Sequence, residues 1–363
     1  MHHKFQNIKM MNFFRLFLFF LIISITSCKT DVDINAPYKD VSIVYGILDP
    51  NDSIHYIKIN KSFAGQADVK DMAKVRDSSE YNPKDLVVEI MEIGGLNRKF
   101  TLKDTLIGNK ELGYFYGPES ILYYFKTTQP LNNSGGVSYS LKIRNNSLNK
   151  EISATTKLVK PFIIESPGPT AEKKISFADD KGLLNFPTKV KWKSATYARR
   201  YDIKMVFNYF EITSNGDTIV PKPIEWISKG IKSSSPNGNE SMEAEFTGLE
   251  FYSKIMNEIP DDAQVKRLAY SLDFYIYAAG EDLSTYIEVT EPSKGLVQDK
   301  PEYSNLKNAF GIFSSRSNQK VLNKGLSAGT ARFLKVSDYT RSKNFVKYYN
   351  FAGTTQYFEI LSN

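Results

Sequence analysis

Past residue 40 the chain is cut into short runs of alternating apolar residues, each ended by a turn rich in Pro, Gly, Asn or Asp. That alternation is the period of a half-buried strand, and it restricts the chain to sheets packed on sheets. Runs 41–48 and 54–63 flank Asp49-Pro50-Asn51-Asp52-Ser53, where Pro fixes φ and Asp and Asn bond their own backbone, so they form a hairpin. Run 86–93 turns at Gly94-Gly95 and returns through 99–106. Runs 137–143 and 152–158 make a further hairpin around an Asn-rich loop. Helical spacing is confined to short stretches at 69–75, at Leu249, Tyr252, Met256 and Ile259 before Pro260, and at 282–289.

Pro161 and Pro167-Gly168-Pro169 divide the pattern. Residues 41–160, with six or more strands, read as an immunoglobulin-like β-sandwich, and 161–169 as a linker. In 170–363, Val190-Lys191-Trp192 is followed by Ala198 and then by a strand alternating Tyr201, Ile203, Met205 and Phe207. A strand Trp followed by a Tyr-led strand resembles fibronectin type III domains. The expected second unit is therefore a fibronectin type III-like β-domain with helical insertions. Asn215-Gly216 signals a hairpin closing 207–213 on 218–220. Residues 228–243, rich in Ser, Gly and Asn, read as a loop, 265–279 as one long central strand, and 310–313 and 345–351 as later strands.

Ahead of this pattern, residues 1–15 carry Lys4, Lys9 and Arg15 and no acid, and residues 16–25 are apolar. These are the charged and apolar regions of a secretory signal over 1–27. Ten helical residues reach about 15 Å, half the ~30 Å hydrocarbon core, so they do not span it. The run ends in Ile25-Thr26-Ser27-Cys28, which resembles a bacterial lipobox: cleavage between Ser27 and Cys28 and a diacylglycerol on the Cys28 thiol. Two or more acyl chains hold a protein stably on a membrane. Cys28 is the one cysteine of the chain, so a mature protein has no disulfide and is held by its core.

Residues 28–40 read as a lipidated tether. Lys29-Thr30-Asp31-Val32-Asp33 is similar to the surface-export signal of Bacteroidota lipoproteins, and reads equally well as a solvated spacer. Cleavage leaves 336 of the 363 residues and lowers the formal charge from +7 to +4. Basic residues are scattered, with no footprint for nucleic acid.

Histidine excludes most chemistry. His2 and His3 leave with the signal, so the mature chain keeps His55 alone. Zinc sites of several His or Cys ligands and a Cys–His nucleophile pair are ruled out. A Ser–His–Asp triad would need His55, which alternates with Ile57 and Ile59 as a half-buried strand residue does. No catalytic residue, metal ligand set or cofactor site is assigned. Asp179-Asp180 and Asp261-Asp262 lack the alternating oxygen ligands of a calcium loop and read as solvated turns.

The candidate contact residues are aromatic. Residues 113–125 hold Tyr114, Tyr116, Tyr123 and Tyr124 around a Gly-Pro turn; aromatic faces stack on sugars or bury at protein interfaces, although alternate strand residues must point into a core. Ser53, Thr105 and Thr218 each follow Asp and precede an aliphatic residue, the acceptor pattern of Bacteroidota O-glycosylation, and are expected in or beside turns.

With its lipobox, Val44-Tyr45-Gly46-Ile47-Leu48-Asp49-Pro50 and Ser304-Asn305-Leu306-Lys307-Asn308-Ala309-Phe310-Gly311-Ile312-Phe313, the chain resembles a family of Bacteroidota outer-membrane lipoproteins defined by a domain of unknown function. Members are often encoded beside TonB-dependent receptors. The resemblance implies a lipid-anchored protein of the outer membrane, at the cell surface or on the periplasmic face. Its role would be non-catalytic binding of a glycan or accessory service to a receptor. The alternative is a hydrolase of glycosidase type, which works with two carboxylates and needs neither His nor Cys. The anchor is testable directly: Cys28→Ala is expected to stay uncleaved by the lipoprotein peptidase and to take up no radioactive palmitate. Equal labelling of variant and wild type would exclude the lipobox reading.

Overall fold

The computed structural model describes residues 40–63, 68–108, 116–169, 174–179, 181–184, 187–291 and 302–346. The signal with Ser27, residues 28–39 of the tether with Cys28, Tyr114 and residues 347–351 of the expected last strand lie outside them.

Alternation becomes a two-faced sheet at once. β1 (Ser42–Leu48) buries Ser42, Val44, Gly46 and Leu48 and turns Ile43, Tyr45 and Ile47 to the other side. β2 (Ile54–Lys61) returns antiparallel, burying His55, Ile57 and Ile59. The turn between them closes as its residues dictate: Asn51 N–H donates to Asp49 Oδ1 (3.0 Å) and Asp52 N–H to Asp49 O (3.1 Å). The helix expected after Asp68 is α1 (Val69–Ala73), capped by the Asp68 side chain, and α2 (Arg76–Ser79) follows.

β3 (Leu86–Ile93) pairs with β4 (Lys99–Thr101) through the Gly94-Gly95 turn. Buried Leu102 then carries the chain to the opposite sheet, where β5 (Lys103–Ile107) pairs with β6 (Ser120–Lys126). β7 (Ser138–Asn145) and β8 (Lys150–Thr156) form the hairpin read from the sequence. A four-stranded sheet β4-β3-β7-β8 thus faces a sheet containing β1, β2, β6 and β5. Val44, Ile57, Ile90, Tyr123, Tyr139 and Leu141 are among the side chains that fill the space between them.

The second core is centred on β11 (Ala198–Ile212), which follows β9 (Ile164–Ser166) and β10 (Thr188–Lys193). β11 pairs with β12 (Thr218–Ile219) through the Asn215-Gly216 turn, and with β13 (Ile224–Lys232). β14 (Ser241–Phe246) pairs with β10. Residues 228–243 are therefore not one loop: Ile224–Lys232 is held by its ladder to β11 and Ser241–Phe246 by its ladder to β10. Trp192 from β10 and Tyr201 from β11 meet in this core with ring centroids 5.5 Å apart. Tyr201 O–H accepts from Ala195 N–H at 2.6 Å.

Helix α3 (Gly248–Glu258) starts in a Thr247–Glu250 capping box. Its buried face is Phe251, Tyr252 and Ile255, while Leu249 and Met256, expected on the core stripe, are exposed. Phe251 decides the orientation, stacked on Phe177 (4.2 Å) and on Trp226 (5.1 Å). The long strand expected at 265–279 is β15 (Lys266–Gly280), central between β11 and its next neighbour. α4 (Glu281–Thr290) follows directly.

That neighbour is β16 (Phe310–Lys324), much longer than the expected 310–313. Its first part runs parallel to β1, from Ile43↔Phe310 to Leu48↔Ser315. Its second part runs antiparallel to β15, from Ala279↔Arg316 to Leu272↔Lys324. One strand therefore makes a single nine-stranded sheet of the two halves. At its start Gly311 has φ +108°, and a Cβ there would lie 2.0 Å from the Val44 carbonyl oxygen, so only glycine fits. α5 (Ala328–Val336), without counterpart in the sequence reading, packs Leu334 into the second core. Phe345 bridges Arg267 and is buried there.

Membership of the two cores crosses the expected boundary. Phe162 and Ile164, inside segment 161–169, are buried in the second, and Leu306 and Phe313, from the C-terminal half, are buried in the first. Cooperative unfolding of the two is the expected consequence. Truncating a large buried aromatic costs about 3–5 kcal/mol, and Trp192 and Trp226, the two tryptophans, both sit in the second core. Phe313→Ala is expected to lower the melting temperature reported by tryptophan emission, with one calorimetric transition. An unmoved tryptophan transition would show that the cores unfold independently.

Candidate functional site

The outward positions of β1, β2 and β6 place three tyrosines side by side. Tyr124 on β6 lies opposite Tyr56 on β2, ring centroids 6.2 Å apart, and Tyr56 is diagonal to Tyr45 on β1, whose direct partner is Lys58. Tyr45 in turn meets Tyr286 of α4 edge-to-face at 6.2 Å, and Tyr286 O–H donates to the Tyr45 oxygen at 3.4 Å. Burial, and then that hydrogen bond, pushes the Tyr286 phenol up to about 12, so it remains a neutral donor. The result is a row Tyr286–Tyr45–Tyr56–Tyr124 across one sheet face, with Tyr45 and Tyr56 each 40 % exposed.

None of the outward positions on β1, β2, β6 and β5 is acidic, and three are lysines: Lys58, Lys103 opposite Tyr124, and Lys126 opposite Ile54. Among the described residues Lys103 and Lys126 form no ion pair, and the Tyr56 and Tyr124 hydroxyls make no hydrogen bond. The face can therefore offer aromatic rings, phenolic donors and cations together.

Of the four candidate aromatics, Tyr114 lies outside the described residues, and of Tyr116, Tyr123 and Tyr124 the last alone joins this row. Tyr123, next in sequence, points the opposite way and is 3 % exposed in the first core, where burial, then Asp104, Glu80 and Asp85, push its phenol up. Tyr116 lies apart, under the Arg76 guanidinium at 4.7 Å, with its N–H on Ala73 O. Tyr45, Tyr56 and Tyr286 are not among the contact residues expected from sequence. Each lies in a run whose alternation fixes its side, but the diagonal pairing that gathers them is a matter of register.

Ser53 is exposed in the first hairpin turn, and Thr218 is exposed at the start of β12. Thr105 is not at a turn: it is the middle residue of β5, paired with Leu122.

Three carboxylates are buried among the described residues, and each is committed to backbone or to a cation. Asp49 accepts from Arg316 Nε (3.3 Å), Asn318 Nδ2 (3.1 Å) and Asn51 N–H. Glu80 accepts from Ile121 N–H (3.2 Å) and lies 3.4 Å from Arg76. Glu92 accepts from Leu96 N–H (2.6 Å), Arg98 (2.7 Å) and Tyr139 O–H (3.1 Å). Burial pushes the Glu92 carboxyl up, but Arg98, Leu96 N–H and Tyr139 outweigh it and hold it below the usual range. A glycosidase acid needs the opposite shift. No cluster of three His, Cys, Asp or Glu that could hold a metal occurs among the described residues. Asp179 and Asp262 accept backbone N–H groups of their own turns, and Asp261 pairs with Lys343.

No protein-family model and no curated protein matches the chain. Among solved structures it is similar to the C-terminal globular domain of oligosaccharyltransferase from Pyrococcus abyssi, at 12 % identity over 63 % of this chain and 47 % of that one, with a TM-score of 0.21. The chain thus spans less than half the length of that structure, and a likeness this loose carries no functional weight. No helix among the described residues is long and apolar enough to cross a membrane.

His55 lies behind the tyrosine row, 2 % exposed and stacked on Phe125 at 4.7 Å. It is more deeply buried than its alternation alone indicated. Burial pushes its pKa down, against the pull of Asp52 and Asp49. Since the folded value lies below the unfolded one, near 6.5, His55 takes up a proton more readily when unfolded. Its contribution is complete above roughly pH 6.5 and is lost as pH falls through the folded value. Neither ring nitrogen makes a hydrogen bond of normal geometry to the described residues, so an apolar ring of similar shape is tolerated. Melting curves of His55→Phe are expected to lose part of the wild-type decline between about pH 7 and about pH 5; an unchanged decline would show that His55 does not contribute to it.

Proposed function

We propose that the chain is a lipoprotein held on the outer membrane through lipid on Cys28 and exposed at the cell surface. There it acts as a non-catalytic binding module, as an accessory to a TonB-dependent transporter, and takes its ligand on the tyrosine row. One observation carries the reading: four tyrosines converge beside β1, β2, β5 and β6, strands whose outward positions hold lysines and no acid. Large rings left half-exposed in a contiguous row, away from any core, are what a contact surface requires. The commitment of Asp49, Glu80 and Glu92 to structural bonds supports binding over carboxylate hydrolysis.

The test is cross-linking of the lipidated protein in native outer membranes, comparing wild type with Tyr56→Ala/Tyr124→Ala at equal abundance. A transporter subunit or glycan is expected to be captured by the wild type and lost from the variant. Identical capture by both proteins would remove the row from the function.

A further inference from the structure

We infer that the tyrosine row takes an acidic polysaccharide, one bearing carboxylate, sulfate or phosphate on its sugars; this rests on the binding role proposed above. The row runs from Tyr45 on β1 through Tyr56 on β2 to Tyr124 on β6, two strand spacings or about 10 Å, the length scale of a short oligosaccharide. Tyr56 and Tyr124 are tilted at 39° to each other, so they present two ring faces to consecutive units of a curved chain rather than one flat stack. Sugar rings offer apolar C–H faces for such contacts and hydroxyls for the phenolic O–H groups.

Charge selects among sugars. Lys103 stands directly opposite Tyr124 in the β5–β6 ladder, and Lys126 stands two residues beyond Tyr124 on the same side. Among the described residues neither has an anionic partner, and no outward position of β1, β2, β5 or β6 is a carboxylate that would compete for a ligand's anions. Asp104 and Glu119, the nearest acids in sequence, fall on the opposite parity. A neutral glycan would leave these cations unused. A membrane surface would want long aliphatic side chains projecting beside the lysines, whereas Tyr45 and Tyr56 are the side chains that project from the middle of β1 and β2.

The test is the affinity of the unlipidated chain, residues 29–363, for polygalacturonate, heparin, neutral dextran and phosphatidylglycerol vesicles. Binding to polygalacturonate or heparin but not dextran is expected, weakening as sodium chloride rises from about 50 to about 500 mM. Tyr56→Ala/Tyr124→Ala is expected to weaken it at least about tenfold, the equivalent of ~1.4 kcal/mol. Lys103→Gln/Lys126→Gln is expected to weaken it similarly and to flatten the salt dependence. If the alanine variant melts early, Tyr56→Phe/Tyr124→Phe, which keeps the rings, must retain binding, and Lys103→Glu/Lys126→Glu, both on the surface, must abolish it. Equal tyrosine-dependent binding of dextran would overturn the choice of an acidic ligand and leave the binding role standing. Binding to the vesicles alone, or to no polysaccharide, would overturn the inference, while the capture experiment in native membranes decides the binding role separately.

Discussion

The fold depends on β16 changing partner without breaking. Up to Ser315 it completes the first sandwich as a parallel neighbour of β1, and from Arg316 it completes the second sheet as an antiparallel neighbour of β15. Such a strand needs a point at which one partner ends and the other begins, and Asp49 marks it. Fully buried at the end of β1, Asp49 accepts from Arg316 and Asn318, the first outward side chains of the second part. A buried carboxylate is tolerated only when its lone pairs are filled. The Asp49-Pro50 turn is therefore chemically matched to the crossover, and the turn cannot shift without leaving that charge unpaired.

The same constraint explains why the segment before β16 is so specific. Asn305 donates from Nδ2 to Phe313 O (2.7 Å) and accepts from Phe313 N–H (3.0 Å), closing the loop on itself. Lys307 pairs with Ser153 of β8, and Asn308, at φ +63°, donates to Glu151 O. Leu306 and Phe313 then fill the first core, and Gly311 lets the backbone pass Val44. Of the three stretches on which the family resemblance rests, the two among the described residues are thus the two sides of one junction, β1 with its turn and the entry to β16.

Strand content was legible because alternation is local: β1, β2, β3, β7, β8, β11 and β15 all follow from runs of apolar residues and the turns between them. What stayed hidden was non-local. A Ser/Gly/Asn-rich composition concealed β13 and the start of β14, which exist because β11 and β10 offer ladders to them. In α3 the spacing was helical, but Phe251 packed between Phe177 and Trp226 turned the helix away from the stripe through Leu249 and Met256. The length of β16 was invisible for the same reason. Arg316, Asn318 and Lys320 look like loop residues, yet they are the outward positions of a strand held by β15.

The candidate site shows the limit of composition most clearly. An aromatic-dense run drew attention to residues 113–125, and alternation then divided it, Tyr123 inward and Tyr124 outward. The partners of Tyr124 come from strands some seventy and eighty residues earlier and from a helix far downstream, brought together by register alone. Their position has a further consequence if lipid on Cys28 holds the chain. Asp40 lies twelve residues past Cys28, a span of at most roughly 40 Å, and β1 follows at once with Tyr45 in its middle. The first strand of the fold would then be both the one nearest the anchor and the spine of the tyrosine row. A ligand on that face would be held within a short tether's reach of the membrane, where a transporter could take it over.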